Sequence, residues 1–244
     1  MKLISLNVWE GKLRDALIPF LRDQAATTDV FCFQEMTSSF VSEVGNDLFS
    51  DVARALPGFQ GFFEATQDEG KDTEVGLATF VKRSELIDKE GDYFVYRTRN
   101  AMIGEDWRTW GRNLQFIQFP RNGKEYAIVN FHGLADGKGR EDSDARIEQS
   151  KRMKSFLNAL RGTKIVCGDF NLTKGTQSLA IIDEGMRNLI NESGVTSTRP
   201  DEHFPYPDKY CDWILVDPAI EVKKFEVLPD KVSDHYPLVL EAEL

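Results

Sequence analysis

Two short stretches of the chain carry side chains suited to hydrolytic chemistry. The first, Lys164 to Asn171, is an apolar run that ends in Gly-Asp-Phe-Asn. Such a run predicts a buried strand that delivers a carboxylate and a carboxamide to the rim of a sheet, where layered α/β proteins usually bind ligands. The second, Ser233 to Pro237, places a metal-capable carboxylate, Asp234, beside the imidazole of His235. These residue types predict acid–base chemistry next to a bound cation.

Further polar residues stand at the ends of apolar stretches elsewhere in the sequence. In chain order they are Asn7, Gln34 with Glu35, His132, and Cys211 with Asp212. Each lies where a predicted strand begins or ends. The elements that position them must therefore bring several strand ends to one rim.

The order of these motifs closely resembles that of the endonuclease/exonuclease/phosphatase superfamily, the metal-dependent phosphoesterases with a deoxyribonuclease I-like fold. The resemblance spans Asn7 to Pro237 and includes Gln-Glu, Asn-Phe-His at 130–132, Gly-Asp-Phe-Asn, an Asp before an apolar strand, and Ser-Asp-His-x-Pro. Singly these motifs are weak, but in this order they are specific. The resemblance implies an α+β fold, a four-layer α/β/β/α sandwich with two mixed β-sheets flanked by helices. The alternation of strand-like and helix-like segments fits that architecture without singling it out.

The resemblance also implies roles for five residues in hydrolysis. Asp169 would orient or deprotonate the attacking water, or protonate the leaving group, and Asn171 would position Asp169 and the phosphate. His235 would contact phosphoryl oxygens or act as a base, and Asp212 would fix its orientation. His132 would donate to the phosphate or leaving group. Because Asp169 and Asn171 lie two apart, an extended segment would project both side chains to one side.

A magnesium ion is the cofactor that these residues favour, with manganese as an alternative. Magnesium prefers hard oxygen ligands and keeps several waters, so one or two carboxylates hold it. Glu35 is the leading ligand, and Asp234 and Asn7 are supporting candidates. A zinc hydrolase is disfavoured because the histidines lack a paired H-x-x-x-H spacing and the cysteines do not cluster.

The substrate is a phosphate ester, and the sequence leaves its size open. The net charge of −10 argues against loose binding to long nucleic acid, although a local basic groove is compatible with it. Between Arg97 and Arg112 four arginines face two acidic residues, and the candidate substrate contacts are Trp107, Arg108, Trp110 and Arg112. A nuclease and a phosphatase of small molecules or lipid headgroups both fit. The alternative from another class is a noncatalytic module that binds a phosphorylated partner.

Other patterns predict the supporting elements. One helix face combines Phe40, Val41, Val44, Leu48, Val52 and Leu56, and another runs from Ile147 to Leu160. A helix through Leu13, Leu17 and Leu21 would be distorted or divided at Pro19. Arg121-Asn122-Gly123 predicts a hairpin turn, and the acidic stretch from Asp68 to Glu74 a solvated loop. Arg146 and Gln149 are expected to brace their helix against a loop.

Residues 1–244 are expected to form a single domain. Met1 and Lys2 lead directly into the first apolar run, and no stretch approaches the roughly 20 apolar residues of a membrane span. We therefore expect a cytoplasmic monomer. Cys32, Cys167 and Cys211 are far apart in apolar surroundings, which predicts reduced, packed thiols. His203 lies among prolines and is interpreted as a surface or packing residue.

Overall fold

The apolar runs of the sequence form strands and helices in alternating blocks. The computed structural model describes residues 1–39, 47–70, 72–101, 106, 109–137, 139–200 and 209–244. The N-terminal elements are β1 (Lys2–Asn7), a 3-10 turn (Trp9–Gly11), α1 (Arg14–Ala25), β2 (Val30–Ser39), α2 (Leu48–Ala55), β3 (Phe59–Gly70), β4 (Thr73–Lys82) and β5 (Lys89–Tyr96). They are followed by β6 (Arg112–Arg121), β7 (Lys124–His132), α3 (Asp144–Ala159), β8 (Thr163–Asp169), α4 (Gln177–Asp183), β9 (Arg187–Asn188), α5 (Leu189–Ser193), β10 (Asp212–Val216), β11 (Glu221–Val227) and β12 (Leu238–Glu243).

The central strands bury side chains on both of their faces. In β1, Ile4 and Leu6 belong to the apolar cluster that includes Leu17 of α1 and Val52 of α2. Leu3, which points to the opposite face, belongs to the larger cluster shared with the second sheet. Because side chains alternate along a strand, each central strand contacts a helical layer on one side and a sheet on the other. The predicted four-layer α+β sandwich is confirmed.

Each sheet has six strands and one parallel pair in the described part of the chain. The first sheet has the order β11-β12-β1-β2-β4-β3, and the second has the order β5-β6-β7-β8-β10-β9. The parallel pairs are β1 with β2 and β7 with β8. The other neighbouring strands in the described residues pair antiparallel. Parallel pairing aligns the carboxyl ends of the two strands, so Asn7 lies opposite Gln34 and His132 opposite Asp169.

Two buried amides join the sheets just below these strand ends. Gln34 Nε2 donates to Asn130 Oδ1 at 2.7 Å. Asn130 Nδ2 in turn donates to the carbonyl oxygens of Phe33 and Ala78 at 3.0 and 3.1 Å. Since both side chains are fully buried, losing either partner would leave polar atoms without water or protein contacts. The amides therefore join the strand that carries Glu35 to the strand of the other sheet that carries His132.

The predicted turns and helices have mixed outcomes. The hairpin is confirmed, because Arg121 pairs with Lys124 across Asn122-Gly123, whose φ angles of 52° and 73° suit a two-residue turn. The division at Pro19 is wrong, since α1 continues through it while its apolar face packs on the sheet. The helix predicted from Phe40 begins at Leu48 in the described residues, and residues 40–46 lie outside them.

The acidic stretch from Asp68 to Glu74 is a strand hairpin, so the prediction of a solvated loop is wrong. Asp68 lies in β3 and Glu74 in β4, where the carboxylate of Glu74 is buried and pairs with Arg99. The three cysteines are buried and unbridged, as predicted. Among the described helices, none combines the length and hydropathy that crossing a membrane requires.

Candidate active site

Asp169 is the point where the two sheets' polar strand ends converge. Its Oδ2 accepts from Asn7 Nδ2 at 3.2 Å and lies 3.6 Å from His235 Nε2 and 3.8 Å from His132 Nε2. Burial alone would raise the pKa of Asp169, but His235 and other nearby basic side chains outweigh it and lower the pKa. The carboxylate is therefore ionised at neutral pH and touches residues from four different strand ends or loops.

A glycine lets β7 and β8 approach closely enough to seat His132 beside Asp169. Gly168 has a φ of 138°, and a Cβ atom built on it would lie 1.9 Å from the carbonyl oxygen of Phe131. Any side chain would force the two strands apart. The glycine of the Gly-Asp-Phe-Asn motif is thus a packing requirement for the site.

Glu35 projects from a bulge in β2. The register between β2 and β4 shifts between Phe33 and Met36, and Glu35 has a φ of 53°. A non-glycine residue in this region is strained, and such strain concentrates at functional sites. Its Oε1 accepts from Asn7 Nδ2 at 3.0 Å. Burial, only partly offset by Asn7, raises the pKa of Glu35 to about 7.

His235 is held by a buried carboxylate. Its Nδ1 lies 2.8 and 3.0 Å from the two carboxylate oxygens of Asp212, which also accepts from the Cys211 thiol at 3.1 Å. Burial and Arg199 lower the pKa of His235, but Asp212 and Asp169 outweigh them and raise it well above its usual value. Burial raises the pKa of Cys211 to about 11, so this thiol stays protonated and donates to Asp212.

His132 behaves in the opposite way. Burial lowers the pKa of His132 to about 3, so the ring is neutral across the physiological range. Its Nε2 lies 3.8 Å from Glu35 Oε1 and from Asp169 Oδ2. A neutral imidazole at this place can donate one hydrogen bond to an incoming oxygen.

Asn171 lines the same pocket as Asp169, but by a different geometry from the one predicted. The strand ends at Asp169, and Asn171 has a φ of 52°, so the prediction of an extended segment is wrong. The backbone amide of Asn171 donates to Asp169 Oδ1 at 2.8 Å, and its side-chain Nδ2 donates to Gly133 O at 3.2 Å. An Asx turn thus orients the Asp169 carboxylate.

The two supporting metal candidates already have protein partners. Asn7 presents its amide nitrogen to Glu35 and Asp169, while its Oδ1 accepts from Trp9 N at 3.0 Å. Asp234 Oδ2 accepts from Arg199 Nη2 at 2.6 Å. Glu35 is also bonded to Asn7, but unlike Asp234 it forms no ion pair with a lysine or arginine among the described residues.

Arg199 is a site residue that the sequence patterns missed. Its buried guanidinium reaches Asp234, and its Nη1 lies at hydrogen-bonding distance from His235 Nε2. Ser197 Oγ donates to the carbonyl of Arg199 at 2.7 Å and accepts from its amide at 3.1 Å, which fixes the backbone. The Thr-Arg-Pro segment follows no apolar run and matches no motif, so no sequence signal identified it.

These side chains surround one pocket of about 450 Å³. Of the substrate candidates, Arg112 and Trp110 line it, whereas Trp107 and Arg108 lie outside the described residues. Arg112 donates to the carbonyls of Gly133 and Gly111 at 3.0 Å each. Trp9 and Lys12 also line the pocket, and neither was predicted.

A family model identifies the family of this chain. The model described as the endonuclease/exonuclease/phosphatase family matches residues 4–235. The chain belongs to the endonuclease/exonuclease/phosphatase family. It is therefore a hydrolytic phosphoesterase, which answers the alternative of a noncatalytic module.

Solved structures with the same fold come from distant members of the family. A mannosyl-6-phosphatase of Bacteroides thetaiotaomicron is 20% identical with a TM-score of 0.76, and all of both chains is covered. A family protein of Leptotrichia buccalis is 17% identical with a TM-score of 0.78, again over all of both chains. The catalytic domain of human Nocturnin is 18% identical with a TM-score of 0.72, covering 100% of this chain and 93% of that one. A search of curated proteins finds no match.

The helix after β7 braces the loop behind the site, as predicted. Arg146 donates to the carbonyls of Leu134, Glu141 and Gly139 at 3.1, 2.6 and 2.6 Å. Gln149 Oε1 accepts from Leu134 N at 3.0 Å. Both side chains are fully buried, so they hold the segment that follows His132 without entering the pocket.

The donor set fits a hard divalent cation at Glu35. Glu35 lines the pocket and forms no ion pair with a lysine or arginine among the described residues. Burial therefore raises its pKa, and a bound cation would stabilise its charged form. The ligand atoms of Asp169, Cys211, Asp212 and His235 also lie within 4.8 Å of one another. In that group the thiol is protonated and His235 Nδ1 is bonded to Asp212, so a magnesium-like ion is better served by Glu35.

Proposed function

We propose that this protein is a magnesium- or manganese-dependent hydrolase of compact phosphate esters. The observation that carries the proposal is the pocket of about 450 Å³ shared by Glu35, Asp169 and His235. Ligand pockets for small molecules measure roughly 300 to 1,000 Å³. A single domain, a monomeric state and a cytoplasmic location are part of this proposal.

Charge at the pocket mouth supports a small substrate over a nucleic acid. Glu10 lines the pocket, and Glu69 lies near it. Burial raises the pKa of Glu69, and the negative charge of Glu10 raises it further. The net charge of −10 argues against loose binding to a long polyanion, because such binding needs many lysine and arginine contacts. The chain also shares its fold with a protein named mannosyl-6-phosphatase, which supports a small phosphate ester as the substrate.

The site residues divide the reaction among themselves. Asp169 accepts a proton from the attacking water, because it is ionised and faces the pocket. His235, whose pKa Asp212 raises, binds one phosphoryl oxygen, and neutral His132 donates its one hydrogen bond to another. Asn171 and Asn7 hold the carboxylate of Asp169 in place.

Glu35 is the residue that would hold the metal, and Asp234 and Asn7 are the nearby oxygen-bearing side chains. When bound, the ion would neutralise negative charge on the phosphoryl oxygens. Asn7 keeps the Glu35 carboxylate oriented through its hydrogen bond at 3.0 Å. Because Asp234 pairs with Arg199, Glu35 is the pocket carboxylate that we expect to bind the cation.

Arg199 supplies a fixed positive charge to the phosphoryl group in this proposal. We expect Arg199→Met to lower kcat/KM by roughly 10²- to 10³-fold, and Arg199→Lys to retain part of the activity. Steady-state kinetics with the best substrate would measure both. Arg187→Met is the matched control, since Arg187 also pairs with a carboxylate, that of Glu192, but does not line the pocket. Equal activities of Arg199→Met and the control would contradict this role.

A substrate panel tests the proposed function. Purified protein with Mg²⁺ or Mn²⁺ is assayed against hexose phosphates, nucleoside monophosphates, inositol phosphates, sphingomyelin and single- and double-stranded oligonucleotides. We expect a compact ester to exceed the best oligonucleotide in kcat/KM by at least about 100-fold, because a polymer must bring further negative charges past Glu10 and Glu69. Faster cleavage of oligonucleotides would overturn the choice of a compact substrate.

A further inference from the structure

The turn after β1 holds three consecutive residues in the left-handed backbone region. The φ angles are 49° at Trp9, 53° at Glu10 and 75° at Gly11. Glycine adopts such angles freely, whereas a bulky aromatic residue there is rare and strained. Strain of this kind persists only where the surrounding structure enforces it, and it concentrates at ligand-binding sites. The position of Trp9 therefore requires an explanation beyond packing.

Hydrogen bonds anchor this turn directly to the candidate active site. Trp9 N donates to Asn7 Oδ1 at 3.0 Å, and the same amide group of Asn7 donates to Glu35 and Asp169. Val8 N donates to Gln34 O at 2.9 Å, which ties the turn to the strand that carries Glu35. The backbone of Trp9 is thus held in a fixed relation to the residues that act on the phosphate in our proposal.

Trp9 and Trp110 both line the pocket. Trp110 comes from the segment before β6, so the two aromatic residues come from segments that adjoin different sheets. The ammonium of Lys12 lies 4.7 Å from the centre of the Trp9 ring, which places a positive charge at the same wall. Indole faces stack well on planar bases and on the apolar faces of sugars.

We propose that Trp9, together with Trp110, forms a stacking subsite for a ring in the leaving group of the phosphate ester. This inference rests on the proposed function and narrows its substrate class to ring-bearing esters, such as sugar phosphates and nucleoside phosphates. Trp9 determines specificity in this account and takes no part in bond cleavage. The alternative is that Trp9 only packs the turn against the body of the protein.

Binding of two non-hydrolysable ligands separates these readings. Phenylphosphonate carries a ring beside the phosphonate and methylphosphonate does not, so their Kd ratio, measured by calorimetry with Mg²⁺ present, isolates the ring contribution. We expect the wild type to prefer phenylphosphonate by about tenfold. Trp9→Gly should bring that ratio close to one, and Trp9→Phe should keep an intermediate ratio because it retains a ring.

Thermal stability gives an independent readout. Because glycine accepts a φ near 49° without strain, Trp9→Gly is expected to leave Tm unchanged or higher, in contrast to a residue needed for packing. Asn122→Gly is the matched control, since it relieves a left-handed residue at the distant β6–β7 turn. A fall in Tm with equal weakening of both phosphonates, or an unchanged Kd ratio, would overturn the proposal.

Further arms separate the ring chemistries and the two levels of inference. In EDTA, glucose 6-phosphate and AMP compared with inorganic phosphate show whether a sugar or a base is preferred, and equal affinities for all three count against the subsite. If the Kd ratio of the two phosphonates depends on Trp9 but the wild type hydrolyses no ester, the proposed function is contradicted and the subsite is supported. If the wild type hydrolyses esters but the Kd ratio does not depend on Trp9, the proposed function is supported and the subsite is contradicted.

Discussion

Asp169→Asn is expected to lower the turnover of the best phosphate ester by roughly 10³- to 10⁴-fold. The substitution keeps the shape of the side chain but removes the charge that accepts a proton from water. Asp169 is the carboxylate that lies within 3.8 Å of His132, His235 and Asn7 at once. Steady-state kinetics and circular dichroism on the purified variant would measure the loss and the fold.

Asp230→Asn is the matched control for this change. It replaces an exposed carboxylate by the same amide, and its turnover and Tm should equal those of the wild type. If Asp169→Asn kept more than a tenth of wild-type activity, Asp169 would not be the proton acceptor. A variant that lost activity only because it unfolded would show a collapsed Tm, which circular dichroism detects.

Glu35→Gln is expected to weaken binding of Mn²⁺ by at least about 100-fold and to lower turnover by a similar factor. The amide keeps one oxygen but loses the charge that burial has left without a paired cation. Titration calorimetry with Mn²⁺ in the absence of substrate measures the affinity directly. Glu64→Gln is the matched control, because burial also raises the pKa of Glu64 to about 7 but Glu64 does not line the pocket. Equal Mn²⁺ affinities in the two variants would contradict the assignment of Glu35.

The pH dependence of stability gives the same assignment a second signature. The pKa of Glu35 is about 7 in the folded, metal-free protein and near 4.5 in the unfolded chain, so the folded state binds the proton more tightly. The contribution of Glu35 to the free energy of unfolding is therefore fully present below pH 4.5 and is lost as the pH rises through 7. Glu35→Gln removes this component of the slope, and added Mn²⁺ should restore stability mainly above pH 7. Glu64→Gln also flattens the slope but leaves the Mn²⁺ effect intact.

The sequence predicted the site best where polar residues end apolar strands. Asn7, His132, Asp169 and Asp212 stand at strand ends, and the two parallel pairs bring Asn7 beside Gln34 and His132 beside Asp169. Glu35 was predicted to close its strand, but β2 continues to Ser39 and Glu35 lies at a bulge within it. Periodicity reveals such positions because a strand buried on both faces reads as an apolar run with a sharp polar stop. The ordered motifs then specified the family, and with it the four-layer fold.

Residues on irregular backbone escaped this reasoning. Arg199 and Trp9 reach the pocket from a loop and a strained turn, and neither segment has a period that marks an element. The left-handed conformations of Glu35 and Asn171 are equally invisible in the sequence, because they arise from the bulge in β2 and from the end of β8. Pro19 misled for a related reason, since tertiary packing of α1 overrides the local penalty for proline.

In our proposal, this pocket hydrolyses phosphate esters with a divalent metal held at Glu35. The most direct measurement is the initial rate of phosphate release from the best ester of the panel, for the wild type and Glu35→Gln, with Mg²⁺, after EDTA, and after Mg²⁺ is added back. We predict release by the wild type that EDTA abolishes and Mg²⁺ restores, and a rate at least about 100-fold lower for the variant at the same Mg²⁺ concentration. Wild-type release that persists in EDTA, or a variant as fast as the wild type, would contradict the account.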